Sequence, residues 1–368
     1  MKSSIILFAS LAMLICSCTT KNRRTELNVP ADSIHFSAFN ETVTRDLPPG
    51  FVKSREYINL QMKNDENYVT AINKILVVQD RIYVMDKRGK ALVAFDSRGN
   101  YLDTVGKAML DYVNIADFDV DTTGLIYIID GKKDNLLCYN AGFKLMYKKQ
   151  SPFEIDVIQS LPGKGFLLGL SSWNKMSNAH DKVLLTDRQL APVNVPLKYD
   201  DWVDDNFWVS GYRFLKTSGA ILYNRPVDNN VYAFSPDGKL NMVYSFDFGT
   251  MNVPDEHKKN IEKHLYSFDH YRLLTDFTFA DDRWAFGKLW DKRKHRFFYA
   301  DRIHHIVYLE DPAVPNELKN IADFDGKYLV SFIYPGEYRD TAFGGLPAVS
   351  KKQLEQGGLV ICRYELNQ

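Results

Sequence analysis

The sequence predicts an all-β fold: a six-bladed β-propeller with two short helical insertions, its ring closed by an N-terminal strand pairing with the last blade. Three observations predict it. A strand-and-turn unit recurs at a step of 44 residues, apolar positions follow period 2 or short continuous runs, and aromatic residues are in excess, with 23 Phe, 21 Tyr and 5 Trp in 368 residues. Rings pack well on a pleated, half-buried surface, and one blade of four short strands takes about 40–50 residues.

Taken in order, the chain begins with an address. Residues 1–17 carry one charge, Lys2, ahead of an apolar run too short to span a bilayer, ending in Leu14-Ile15-Cys16-Ser17-Cys18; this reads as a signal peptide. The ending resembles a bacterial lipobox, which implies lipid on Cys18 and a membrane held through that lipid. Residues 18–54 read as a tether and lead-in. The stretch after Cys18 is basic (Lys21, Arg23, Arg24), where lipoproteins sent to the cell surface often carry an acidic run, so the lipobox resemblance implies a periplasm-facing place on the outer membrane.

The propeller is expected over 55–368. The strand at 56–62 precedes the first repeat. Ile82-Tyr83-Val84-Met85-Asp86 recurs as Ile126-Tyr127-Ile128-Ile129-Asp130, and Leu92 to Asn100 recurs as Leu136 to Gly142 and again near Val231 to Lys239, with a degenerate copy at 182–188. The runs 82–85 and 125–129 are apolar on both faces, as strands in the middle of a stack must be. Gly99-Asn100 and Asp237-Gly238 are turn signals. Six units follow, at 71–107, 113–152, 153–200, 208–249, 273–312 and 320–368. The last shows three clear strands, so the strand at 56–62 is expected to supply its fourth and remove an open edge. Helical signals interrupt at 254–268 and at 350–357, where Ser350 and Gln353 resemble a capping box and Gly357 a stop.

The 46 basic and 46 acidic residues balance, and removal of the leader takes away only Lys2. A neutral chain without like-charge blocks offers no surface for nucleic acid. No Gly-x-Ser-x-Gly elbow, P-loop, dinucleotide fingerprint or His-Glu-x-x-His is present. Cys138 and Cys362 lie in separate apolar runs and read as two buried thiols.

The lipobox cysteine, the lead-in strand Tyr57-Ile58-Asn59-Leu60, and the run from Ile72-Asn73-Lys74-Ile75 to Asn100-Tyr101-Leu102 together resemble the six-bladed β-propeller lipoproteins of Bacteroides and relatives, within the broader NHL-like propeller group. The resemblance implies an envelope protein with a monomeric body, and is strongest over 71–150. A Gly-Pro-Gly-Glu-Tyr-like stretch common in that group is replaced here by Gly106-Lys107-Ala108-Met109-Leu110-Asp111-Tyr112.

Six-bladed relatives include lactonases and lyases that hold a divalent metal in the tunnel. On that pattern Asn73, Asn114, Asp117, Asp156, Asp276 and Asp323, at blade starts, are candidate oxygen ligands, suited to Ca²⁺; watered polar tunnels of non-enzymes would show the same residues. Tyr199, Trp202, Asp204, Asp205 and Trp208 combine aromatic faces with carboxylates, the equipment for stacking on sugar rings or anchoring a protein. His257 and His264 stand one heptad apart on the first helical insertion, and His304 and His305 are placed on one strand facing opposite ways. The leading reading is therefore a lipid-anchored envelope module that binds a glycan or protein without catalysis and needs no cofactor. The alternative is a metal-assisted hydrolase or lyase acting through the tunnel.

Overall fold

The structure, a computed structural model, describes residues 27–62, 69, 71–105, 111–172, 174, 180–200, 204, 212–217, 219–225, 227–314, 317–318, 320–325, 327–337 and 345–367, with the backbone alone at 276 and 277. Three strands open the described chain: β1 (Ala31–His35), β2 (Asn40–Thr44) and β3 (Val52–Leu60). Blade one is β4 (Ile72–Val78), β5 (Arg81–Asp86), β6 (Ala91–Asp96) and β7 (Tyr101–Val105). Blade two is β8 (Ile115–Val120), β9 (Ile126–Asp130), β10 (Asn135–Tyr139) and β11 (Leu145–Gln150). Blade three holds β12 (Ile155–Ser160), β13 (Gly165–Leu170), β14 (Asp181–Asp187) and β15 (Pro192–Lys198). Blade four holds β16 (Arg213–Lys216), β17 (Ile221–Asn224), β18 (Asn230–Phe234) and β19 (Leu240–Asp247). Blade five is β20 (Arg272–Ala280), β21 (Trp284–Asp291), β22 (Lys294–Asp301) and β23 (Ile306–Glu310). Blade six is β24 (Ile321–Phe324), β25 (Tyr328–Ile333) and β26 (Leu359–Leu366), with β3 as its outer strand. The chain is thus a six-bladed propeller.

The repeat has a physical cause at each end. Asp86 and Asp130, which close the two matching pentapeptides, turn their carboxylates onto backbone N–H groups of the entering loop and of the turn that follows: Ala71 and Gly89 in one blade, and Val113, Asn114 and Lys132 in the next. At the other end Asp96, Asn140 and Asp187 each accept from the N–H groups two and four residues on. These side-chain turns let the chain reverse without orphaned donors.

The apolar residues lie between blades as clusters joining neighbours: Ile82 and Phe95 of blade one with Val330 and Ile361 of blade six, for example, and Tyr127 with Phe166 across blades two and three. β3 pairs antiparallel with β26 from Leu359↔Leu60 to Leu366↔Val52, as the sequence predicts. The N-terminal segment does more than that. β1 adds to β19 and β2 to β23, both parallel, so three consecutive strands cover the outer edges of blades four, five and six. Part of the predicted tether is therefore packed structure. Phe36, between β1 and β2, meets Phe248 and Phe298 edge-on at 4.7 and 5.6 Å. Phe51, fully buried, sits edge-on against Trp284, Phe286 and Tyr299 at 4.9–5.1 Å. Each such ring contributes about 2–3 kcal/mol through burial, and much of the aromatic excess does this work.

Two local readings are corrected. The 350–357 helix, α3 below, starts earlier, at Ala348–Glu355 after Pro347, with no side-chain cap. Ser350 is buried inside it, and Gln353 donates to the Leu60 carbonyl instead of closing a capping box; Pro at the entry position already supplies the extended φ, ψ that a cap residue needs. Gly357 does stop it, at φ +83°. His304 and His305 occupy the turn between β22 and β23, not a strand, because Asp301 accepts from the N–H groups of Ile303 and His304. The insertion at 254–268 forms two one-turn helices, α1 (Asp255–Lys258) and α2 (Ile261–His264), continued by a 3₁₀ turn, and α3 is the third helix of the described chain. Cys138 and Cys362 are buried, unpaired thiols in blades two and six.

Candidate functional site

In every blade the first and third strands run one way and the second and fourth the other. Loops that enter a first strand, or join a second to a third, therefore share one rim. That rim receives the connections 171–180, 199–212, 225–229, 248–271 and 334–358, which include the three α-helices of the described residues. Insertions on one rim of a rigid scaffold are where binding groups are usually carried.

The inner strands begin alike. β4, β8, β12 and β24 each carry a bulge after their first residue, at Asn73, Ala116, Asp156 and Ala322. A bulge sends two successive side chains toward different surroundings. At Asn73 and Asp156 the bulged residue turns to the rim: Asn73 accepts from the Lys87 N–H of its own blade at 2.8 Å, and Asp156 accepts from the Ser171 hydroxyl of its own blade at 2.5 Å and from the Tyr212 hydroxyl at the entry to blade four. The residue after it points between blades. Lys74 donates to Asp117 at 3.0 Å and to the Phe118 carbonyl at 2.7 Å, and Asp117 also accepts from the Ile158 N–H at 2.9 Å, so one buried ion pair ties blades one, two and three.

Further along, braces cross the axis. Asp119 of blade two accepts from Ser160 N–H, Ser160 hydroxyl and Gln159 of blade three, and meets Lys216 of blade four at 3.5 Å. Arg213 of blade four donates to the Ala322 carbonyl of blade six, and Lys216 forms a parallel bridge with Asp325. The tunnel is therefore spanned by protein. Asp323, 3% exposed beside Lys74, Arg213 and Lys216, ionises with difficulty: burial pushes its carboxyl up to about 7, and the three cations only partly counter this. Lys87 is moved the other way, below the usual lysine range, by desolvation.

The predicted metal ligands do not converge. Among the described residues no three His, Cys, Asp or Glu side chains gather to hold an ion. Asp117 is held by Lys74 and Asp156 by two hydroxyls. Asn73 caps a turn, Asn114 is an exposed residue before β8, Asp323 is enclosed near cations, and the Asp276 side chain lies outside the described residues. Asp117, already charge-balanced by Lys74, has lost the free negative charge that Ca²⁺ needs.

The rim site proper lies between blades three and four. Tyr199 and Tyr212 flank the 200–211 connection, and the Arg225 guanidinium stands 4.8 Å from the first ring and 5.9 Å from the second. Arg225 is buried, donates to the Ser172 hydroxyl at 3.2 Å, and keeps an Nε with no partner among the described residues. Asp156, its carboxyl raised by burial, lies in the same cluster. Beside it, Lys182 is bound to Asp228, which also accepts from Tyr232 and Asn230. Stacked rings and a desolvated arginine make a rigid, cationic floor.

Of the predicted binding residues, Tyr199 is 5% exposed and donates to the Leu170 carbonyl at 2.7 Å, so it is floor and not a sugar platform. Asp204 docks on the helical insertion: its N–H donates to the Lys258 carbonyl at 3.0 Å, and its carboxylate accepts from the Ile261 N–H at 3.2 Å. Trp202, Asp205 and Trp208 lie outside the described residues, as does Cys18. His257 and His264 do share a face, with rings stacked at 4.1 Å, and His257 Nδ1 lies 3.0 Å from the Tyr271 hydroxyl. Sequence reasoning missed Arg225, Tyr212, Lys74, Arg213 and Lys216. Lys74 shares the blade-start register of Asp117 and Asp323, which is the signal that could have found it. A cavity of about 220 Å³ opens near the opposite rim between blades four and five, lined by Tyr244, Phe279, Phe324 and Asp281 among others.

The sequence matches the family described as Domain of unknown function (DUF4934) over residues 37–348. No curated protein matches it. The fold is similar to that of a Bacteroides fragilis protein named as exported, with TM-score 0.70 and 16% identity over 92% of this chain and 100% of that one. It also resembles a DUF4221 member from Bacteroides vulgatus, with TM-score 0.47 and 7% identity over 86% and 97% of the two chains.

Proposed function

The chain belongs to the DUF4934 family of unknown function, and from that premise we propose that it is a binding module without catalysis, held at the cell envelope by lipid on Cys18, that takes a glycan or protein at the insertion rim. One observation carries the reading: ion pairs and hydrogen bonds between blades brace the tunnel, Lys74–Asp117, Lys216–Asp119 and Arg213 to the Ala322 carbonyl. Groups locked to each other stiffen a scaffold; they are not poised for a substrate. The rim retains the adaptable chemistry, with the Tyr199–Arg225–Tyr212 stack as its base and Trp202, Asp205 and Trp208 in the loop that the two tyrosines flank. The test is a glycan array, with cross-linking to envelope proteins, comparing the purified chain with a Trp202→Ala, Trp208→Ala double variant. Lost capture at an unchanged melting temperature supports the loop as the site. Unchanged capture removes it.

Asp323 favours a second reading, catalysis in the tunnel. A carboxyl that titrates near 7 suits a general acid or base at neutral pH. This version needs no metal: the groups set against Asp323 are the cations Lys74, Arg213 and Lys216. A turnover abolished by Asp323→Asn, with glycan or protein capture absent, would replace the binding reading.

A further inference from the structure

The molecule itself shows what its blade edges accept. The outer strands β19 and β23 each take a parallel fifth strand, β1 and β2, supplied by the N-terminal segment. Each added strand brings a carboxylate to an arginine. Asp32 of β1 binds Arg302 at 2.5 Å, and Glu41 of β2 binds Arg272, with its second contact at 3.1 Å. Arg302 belongs to the blade that follows the covered edge, and sits one residue after the turn aspartate Asp301, which caps Ile303 N–H and His304 N–H.

Among the described residues the outer strands of blades one, two, three and six carry no fifth strand. Only one of these four edges repeats the arrangement around Arg302. The turn of the blade following each edge reads Asn140-Ala141 beside blade one, Ser235-Pro236 beside blade three and Asp96-Ser97 beside blade six. Beside blade two it reads Asp187-Arg188, and Asp187 also caps its turn, taking the N–H groups two and four residues on where Asp301 takes those two and three on. Arg188 has no clamp like that on Arg302: its side chain is 43% exposed and reaches Asp121 only at 4.0 Å.

The edge itself is suited to pairing. β11 shows Met146 58% and Tyr147 39% exposed. Lys148 and Lys149 lie along it, bound through their ammonium groups to the backbone carbonyls of Asp111 and Gln189. No proline interrupts it, whereas β15 carries Pro192 and Pro196, which cannot donate to a ladder. An open row of strand donors and acceptors is a template for an added strand, and the positive side chains select its charge.

We propose that β11 receives an extended, acidic segment of a partner protein as a parallel fifth strand, with a partner carboxylate on Arg188. This surface is separate from the insertion rim and stands whether or not the rim binds a glycan. The probe is a synthetic peptide of residues 29–39, which carries β1 and its Asp32; β19 is already occupied in the full-length chain. Hydrogen exchange is followed with and without peptide. The expected result is slowed exchange over 144–150. Arg188→Gln in the protein, or Asp32→Asn in the peptide, should each weaken binding about threefold, the yield of one half-exposed ion pair. The two changes together should cost no more than either alone, because they remove one shared contact. The peptide change leaves the protein's own folding untouched, so a loss of stability in Arg188→Gln cannot mimic the effect. Absence of protection over 144–150, protection placed on β7, β15 or β19 instead, or indifference to both substitutions would overturn the proposal.

Discussion

Replacing Asp323 by Asn should stabilise this protein at alkaline pH and leave it unchanged in acid. The folded carboxyl titrates at about 7 against 3.8 when free, with desolvation as the main cause. The sign follows from proton binding. The folded state holds the proton more tightly, so wild-type stability is whole below about pH 4 and falls as pH rises toward 7. A shift of about three units at 1.36 kcal/mol each sets the loss at no more than about 4 kcal/mol. Asparagine keeps the shape of the protonated carboxyl and cannot ionise, so its stability lacks this term. The difference between variant and wild type isolates Asp323 from every other titrating group. Urea unfolding at pH 4, 6 and 8.5 measures it, and for a chain of this length 4 kcal/mol corresponds to a rise in melting temperature of about 5 °C. A variant less stable than wild type at pH 8.5 would refute the reasoning: it would mean that Lys74, Arg213 and Lys216 hold Asp323 ionised, and that charge pairing outweighs its desolvation.

Two further outcomes follow from packing. Gly99→Ala should cost more than about 2 kcal/mol, since Gly99 has φ +84° and an added Cβ would lie 2.2 Å from the Asn59 carbonyl of β3. Gly345→Ala, at the same φ but with open space around it, should cost about 1 kcal/mol, and equal losses in thermal unfolding would dismiss the contact. Burial raises the Cys138 and Cys362 thiols above the ordinary range. Iodoacetamide at pH 8 should therefore spare both in the native protein and label both in urea, as read by peptide mapping; rapid native labelling of Cys362 would show that blade six opens.

The blades were legible because a blade's turns are made by adjacent residues. Asp96, Asn140 and Asp187 reach donors two and four positions on, so the pattern is visible locally. The pairing of β3 with β26 was inferred from a missing strand and a spare one. β1 and β2 were not legible, because their partners lie more than 200 residues away and five-residue segments such as Asn-Glu-Thr-Val-Thr have little apolar pattern of their own. The site shows the same division. The register of Asn73, Asp117, Asp156 and Asp323 could be read along the chain. The cations beside them could not, because Lys216 reaches Asp119 across the axis and Arg225 reaches Tyr199 from another blade. Tyr199 looked like a ligand platform because exposure depends on those same distant contacts.

The N-terminal strands set the order in which this molecule can be made. The segment holding β1 to β3 precedes every blade along the chain, yet its partners run as far as Leu366. Blades one to three can pair their own strands early, from local contacts. Blades four and five can form their four strands from their own segments, whereas blade six has no outer strand until residues 52–60 reach β26. Closing a loop of that length is entropically slow. A chain cut short after blade five would therefore retain β3 as an unmatched, association-prone strand. The first and last blades of the ring are thus joined through one pairing between distant parts of the chain.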